Sequence, residues 1–328
     1  MSGRVPAAAL ASIGRVTNTA ESRADLDELE IDAVEQLAKG VETGEAQSPP
    51  IEPEPRVTVI RPASRRPHLD VSELWQYREL LGTLVRRDIK VRYKQTFVGF
   101  AWAFLLPIFT SAVYVIVFGK FAKFNPGSVG HYPILVLAGV LPMQYFSSAL
   151  SGSSMSLVSN LPLVTKVYFP RVKLPLAAAV VPIVDLVFGL PALIILMAYY
   201  GAWPAGPEVV FAPLFIGLAF VTALGAGFLL STLNVRYRDV PFMLPPLMQV
   251  LPLVSGVFYA IPTLPAKWQW LLAFNPMAAV ITGWRWALVG ADAPNPWQTL
   301  IGVSVAIGLF VVGLGVFRSN EPRIVDKI

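Results

Sequence analysis

Residues 209–233, VVFAPLFIGLAFVTALGAGFLLSTL, run for 25 positions without a charge, and residues 234–240, NVRYRDV, then place Arg236, Arg238 and Asp239 within four positions. A helix over the first stretch is about 37 Å long, enough to cross a hydrocarbon core roughly 30 Å thick. The return of charge marks where such a helix leaves the bilayer. Carried outward, the same reading finds five more apolar stretches of spanning length at Val98–Gly119, Tyr132–Gly152, Leu174–Tyr200, Pro241–Ala260 and Trp297–Phe317. The sequence therefore predicts an all-α integral membrane protein with six transmembrane helices.

Composition agrees. The 328 residues are 55% hydrophobic and 14% charged, against about 25% charged in an average soluble domain. Residues 98–317 hold nine basic and four acidic side chains, whereas residues 1–97 hold 14 and 15. The formal charge of +5 sits beside the apolar stretches rather than on a soluble face, which favours a topological signal over nucleic-acid binding. With six spans, residues 1–97, 153–173, 234–240 and 318–328 lie on one side and carry 22 basic residues, leaving Lys120, Lys123, Lys267 and Arg285 elsewhere. The positive-inside rule makes that richer side cytoplasmic, with both termini on it.

A seventh apolar stretch, Trp268–Leu288, is long enough to cross but is broken by Asn275-Pro276 and contains Arg285. Counting it as a span would put Arg318, Arg323 and Lys327 outside, so it is read as an external re-entrant hairpin whose bent backbone is satisfied inside protein.

The parts before the first span differ in kind. Residues 1–68 are acidic and Pro-rich, with eleven acids and two bases between Glu21 and Glu54, and are expected to be a largely disordered cytoplasmic tail. Residues 69–97 repeat Leu74, Tyr77, Leu81, Leu84, Val85 and Ile89 at three- and four-residue intervals while Arg86, Arg87, Lys90, Arg92 and Lys94 gather near the end. That pattern predicts a basic amphipathic helix in the membrane interface, serving as an anchor or as a gate.

Several chemistries are excluded by what the sequence lacks. There is no cysteine, and His68 and His131 are isolated, which leaves no thiolate, no disulfide and no zinc site. No G-x-x-x-x-G-K-[ST] occurs, so the chain has no such phosphate cradle of its own. Asp185 and Glu208 are the only acids between Asp88 and Asp239, too few for an ion-coupled carrier or for the acid/base centre of a membrane glycosyltransferase or phosphatase. Asp185 is the single intramembrane acid, and a structural bond to a neighbouring helix is preferred over direct substrate contact. The cytoplasmic loops 153–173 and 234–240 are either docking knobs for a soluble partner or simple positive-inside anchors. Trp102, Phe104, Phe109, Tyr114, Phe118, Tyr145, Phe146, Phe258 and Tyr259 offer flat apolar faces, some with a polar handle, suited to helix packing or to lining a conduit for sugars.

The order of four segments carries a resemblance. Arg86 to Thr96 (RRDIKVRYKQT) with Gly99, Trp102 and Pro107, then Lys166-Val167-Tyr168-Phe169-Pro170-Arg171 with Leu174-Pro175, then Val235-Arg236-Tyr237-Arg238-Asp239, then Asn275-Pro276-Met277, resembles the ABC-2 type permeases of the O-antigen and teichoic-acid exporter group over residues 80–317. The resemblance implies a homodimer in the bacterial inner (plasma) membrane, paired with two copies of a separate ATP-binding cassette subunit. ATP and Mg would sit on that partner, with no cofactor and no catalytic residue here. It further implies export of a lipid-linked polysaccharide. Residues 69–97 would be a gate helix whose Arg86, Arg87, Lys90, Arg92, Tyr93 and Lys94 meet the lipid diphosphate. Lys166, Tyr168, Phe169, Pro170, Arg171, Arg236, Tyr237, Arg238 and Asp239 would couple to the ATPase, and the aromatics named above would form channel belts. Two departures stand out: Val172 occupies a position where the family commonly has an acid, and the acidic head is longer than the family's leader. A lipid or drug exporter on the same scaffold, and a non-transporting membrane enzyme subunit or scaffold, are the alternatives.

Overall fold

The computed structural model of the chain describes residues 78–94, 99–166, 169–203, 206–237 and 239–326. The expected disordered tail over 1–68, and Tyr168 and Arg238 of the two loops, lie outside the described residues.

Every regular element described is a helix. α1 is Arg78–Lys94 and α2 is Gly99–Tyr114, prolonged by a π-helical segment Val115–Phe121. α3 is Tyr132–Ser159, α4 Leu161–Lys166, α5 Lys173–Val180 and α6 Ile183–Tyr200. α7 is Ala212–Arg236, α8 Val240–Val254, α9 Ala266–Ala273, α10 Pro276–Val289 and α11 Pro296–Asp326. Among the described residues, five stretches are long and apolar enough to cross a membrane: Ala101–Phe121, Tyr132–Ser159, Lys173–Tyr200, Pro207–Arg236 and Pro296–Glu321. The first, second, third, fourth and last of the expected spans are thus present. The expected Pro241–Ala260 span is a helix only to Val254, 15 residues, because Pro245, Pro246 and Pro252 each remove a backbone donor and Gly256 turns the chain at φ 77°.

α3 is the hub. It packs against α2, α5, α6, α7, α8 and α10, and 78% of its apolar window is buried, against 11% for the α2 span. Where helices come closest, small residues make room, as they must when lipid is no less apolar than the side chains. At the α7–α11 contact a Cβ on Gly313 would stand 2.1 Å from the Gly225 carbonyl oxygen, with no flexible atom to give way. Gly313→Val should therefore separate the helices at a cost of about 1–3 kcal/mol, seen as a lower melting temperature in detergent. Gly315→Val, where a Cβ would meet open space, should leave melting nearly unchanged.

The broken apolar stretch 268–288 is two helices, α9 and α10, meeting at Asn275. Its side chain accepts from the Met277 N–H at 3.0 Å as the N-cap of α10, with Pro276 at the first helical position, and its amide donates to the Val254 carbonyl and Ser255 Oγ at 2.9 Å each. The Asn-Pro motif is thus a helix start tied to the end of α8.

Candidate functional site

α1 lies along α5 with Leu84 and Tyr93 buried and Leu80, Leu81 and Val85 against the core, as its periodicity predicts. The basic residues take different places. Arg87 donates to Asp88 at 2.8 Å and to the Asn160 side chain, at the end of α3, at 2.7 Å. Arg92 stands 2.5 Å from Asp185, and the Tyr93 hydroxyl donates to the other oxygen of the same carboxylate. Arg86, Lys90 and Lys94 are exposed. Burial first, then the hydrogen bond to Asp185, push the Tyr93 phenol well above its ordinary pKa.

Asp185 is where it is because Val181 and Pro182 break the third span, so that α6 starts afresh and the acid falls in its first turn. The lone intramembrane acid is thus bonded to a neighbouring element, and that element is the basic helix preceding the first span.

Arg92, Tyr93 and Asp185 line a cavity of about 620 Å³ whose walls come from α1, α2, α3, α6 and α8. Trp102 and Tyr114 of α2 and Tyr145 of α3 line it, together with Gln144, Ser147, Ser148, Thr110 and Gln249. Gln144 reaches Thr110 at 3.4 Å. Aromatic faces among amides and hydroxyls, with one ion pair in the wall, form a surface that can stack on CH groups and exchange hydrogen bonds with hydroxyls.

Other expected aromatics go elsewhere. Phe146 is buried in the core, Phe109 is exposed, and Phe104 lines a second, apolar crevice of about 440 Å³ between α2 and α6. Phe118 stacks on Phe258 at 4.6 Å, Tyr114 meets Phe258 edge-on at 4.4 Å, and Phe124 joins Phe118 and Tyr259 in the same cluster. Phe124 was missed by sequence reasoning because it follows the first span.

Of the two polar loops, 153–173 forms the end of α3, α4 and a buried turn in which Phe169 and Val172 are each 5% exposed. The Arg171 N–H donates to the Glu321 carboxylate at 3.1 Å, and its guanidinium donates to the Glu321 main-chain carbonyl. Val172 packs inward, and the acid nearest Arg171 comes from α11. At the second loop Asn234 donates to the Ser154 carbonyl at 3.1 Å, Arg236 lies over the Tyr237 ring at 5.3 Å, and Asp239 starts α8. The two loops are therefore joined through α3 and α7. Lys166 belongs to α4.

Arg285, flagged in the sequence only as a charge in the broken stretch, is 4% exposed. It donates to the carbonyls of Leu135, Gly256, Val257 and Tyr259 at 2.6–3.1 Å. Nothing in a sequence marks a carbonyl as a partner, so this site had no signal.

The family model for ABC-2 type transporters matches residues 79–289. The chain is 29% identical to the O-antigen export system permease protein RfbA of Myxococcus xanthus over 79% of its own length and 98% of that protein's. Similarity extends to RfbA of Klebsiella pneumoniae, 25% identical over 76% of this chain and 94% of that one. The polysialic acid transport protein KpsM of Escherichia coli is 23% identical, with 74% and 94% covered. The matched region takes in the basic helix, the cavity walls, both polar loops and the Arg285 site, and the chain belongs to the ABC-2 type transporter family.

Proposed function

We propose that this chain is the transmembrane permease subunit of an exporter that carries a lipid-linked polysaccharide across the bacterial inner membrane, powered by a separate ATPase subunit. The observation that carries the reading is the cavity, to whose lining a basic interface helix supplies Arg92 while Trp102, Tyr114 and Tyr145 supply sugar-compatible walls. Relatives named for O-antigen export and polysialic acid transport support the cargo class. Within this reading α1 is the gate helix, and Lys90, Arg92 and their basic neighbours receive a lipid diphosphate.

The sixth crossing is α8 together with the chain up to Ala260, and α9 and α10 are re-entrant from the external side with Arg285 satisfying the bent backbone. Both termini are then cytoplasmic. The exposed apolar faces of α2 (Trp102, Phe109, Val113) and α8 (Phe242, Met243, Leu247) flank the cavity and meet a second copy, so that the conduit lies between two protomers. Two copies of an ATP-binding cassette protein, holding ATP and Mg, dock on Phe169–Arg171 and Arg236–Asp239. Because Arg171 is fastened to α11 and Asn234 to α3, a push on either loop is passed to packed helices rather than lost in a free turn.

An exporter of lipid or drug is favoured by one feature, the apolar crevice lined by Phe104, Ile108 and Leu196. The test is purification of the tagged chain from its own cells, followed by reconstitution. An ATP-binding cassette protein of separate sequence should come with it, and the pair should transfer a lipid-linked glycan in an ATP-dependent way, with the glycan-free lipid a poorer stimulant of hydrolysis. Nucleotide hydrolysis by the chain alone, or equal stimulation by the glycan-free lipid, would overturn the proposal.

A further inference from the structure

The ion pair in the wall of the cavity joins two groups that can do without each other. Asp185 already has the Tyr93 hydroxyl to stabilise its charge. The Arg92 side chain is 42% exposed and that of Asp185 23%, and both line the cavity, so the guanidinium keeps a face open while it holds the carboxylate. A guanidinium with an open face beside a cavity is available to a better acceptor. A diphosphate is one, since it carries more negative charge than a carboxylate and presents several oxygens to the forked donors.

We propose that Arg92 is a two-position contact, paired with Asp185 while the cavity is empty and transferred to the diphosphate of the lipid-linked cargo when it arrives. Asp185 is then an internal competitor for Arg92, and Tyr93 holds the carboxylate's charge after Arg92 has left. The intramembrane acid thereby sets how tightly the entrance takes an anionic head group. This rests on the reading that the cargo carries a diphosphate.

Competition makes predictions of opposite sign, which a purely structural pair or a direct cargo contact by Asp185 does not. The probe is farnesyl diphosphate, with farnesol as the uncharged control, titrated against the assembled complex in nanodiscs of uncharged lipid. Asp185→Asn should lower the half-saturating concentration at least two- to five-fold, the range for a partly exposed ion pair. Arg92→Gln should raise it, and the double variant should behave as Arg92→Gln alone, because a competitor without its target has no effect. Tyr93→Phe should also raise it, since a carboxylate deprived of the phenol holds Arg92 harder; adding Asp185→Asn should reverse that. If Asp185→Asn fails to fold, Tyr93→Phe alone decides the matter, since a phenol of purely structural role would leave the half-saturating concentration unchanged.

If Asp185→Asn, melting as the parent does, binds the diphosphate no more tightly than the parent, Arg92 does not exchange and the inference fails while the export reading stands. If the parent binds farnesol as well as the diphosphate, the head-group reading itself fails and the inference falls with it.

Discussion

Arg285→Met should be among the most destabilising single substitutions in this chain, costing about 3–5 kcal/mol. The guanidinium is the common partner of the turn after α8, through Gly256, Val257 and Tyr259, and of the first turn of α3, through Leu135. Methionine fills much of the same volume but donates nothing, and each buried carbonyl left without a donor costs about 1–3 kcal/mol. Some would recover water or the Tyr132 hydroxyl, which already donates to the Phe258 carbonyl at 2.8 Å, so the costs do not simply add. Lysine should rescue little, since one ammonium cannot reproduce a planar fork reaching four acceptors. Gly139→Ala should act in the same direction from the other side, because its Cβ would stand 2.5 Å from the Arg285 Nη2. The absence of native cysteine gives a direct readout. A Ser255→Cys reporter, at a position 0% exposed, should resist maleimide in the parent and react once Arg285 is replaced, alongside a fall in melting temperature. Unchanged melting and a still-protected thiol would show that the turn is held by something else.

This site also shows where reading a sequence stops. Helices of spanning length, the amphipathic phase of α1 and the break at Asn275-Pro276 are local properties, written in consecutive residues, and each appears near its expected place. The end of α8 at Val254 was obscured because its three prolines and Gly256 sit in an otherwise continuous apolar run. Asp185 could be singled out as an acid needing a partner, but the partner comes from α1, more than ninety positions earlier, and no local pattern joins them. The aromatics illustrate a third limit. Tyr145 and Phe146 are neighbours in sequence yet about 100° apart around α3; both are buried, but of the two it is Tyr145 that borders the cavity. A list of aromatics in a span cannot say which will line a path until the helix has neighbours.

The largest functional effect is expected from Arg86, Lys90 and Lys94 together. Of the five basic residues at the end of α1, Arg87 is paired with Asp88 and Asn160, and Arg92 with Asp185 while the cavity is empty. The other three are exposed, and their charge is the part of the helix that an approaching head group meets first. Each basic side chain near an anionic surface contributes about 1 kcal/mol, so changing all three to glutamine should weaken recruitment of an anionic lipid by on the order of 100-fold. Binding of the ATPase should be unaffected, since neither polar loop is touched. Long basic side chains also cover apolar surface with their stems, and lost packing must be told apart from lost charge. Two measurements do so. The difference between parent and variant should shrink as salt rises and the screening length falls from about 10 Å at 0.1 M to about 3 Å at 1 M, and a variant that swaps Arg for Lys and Lys for Arg at the three positions should bind as the parent does. A loss that persists at 1 M salt, or that the charge-preserving variant shares, would place the contribution of these residues in packing and remove them from the path of the cargo.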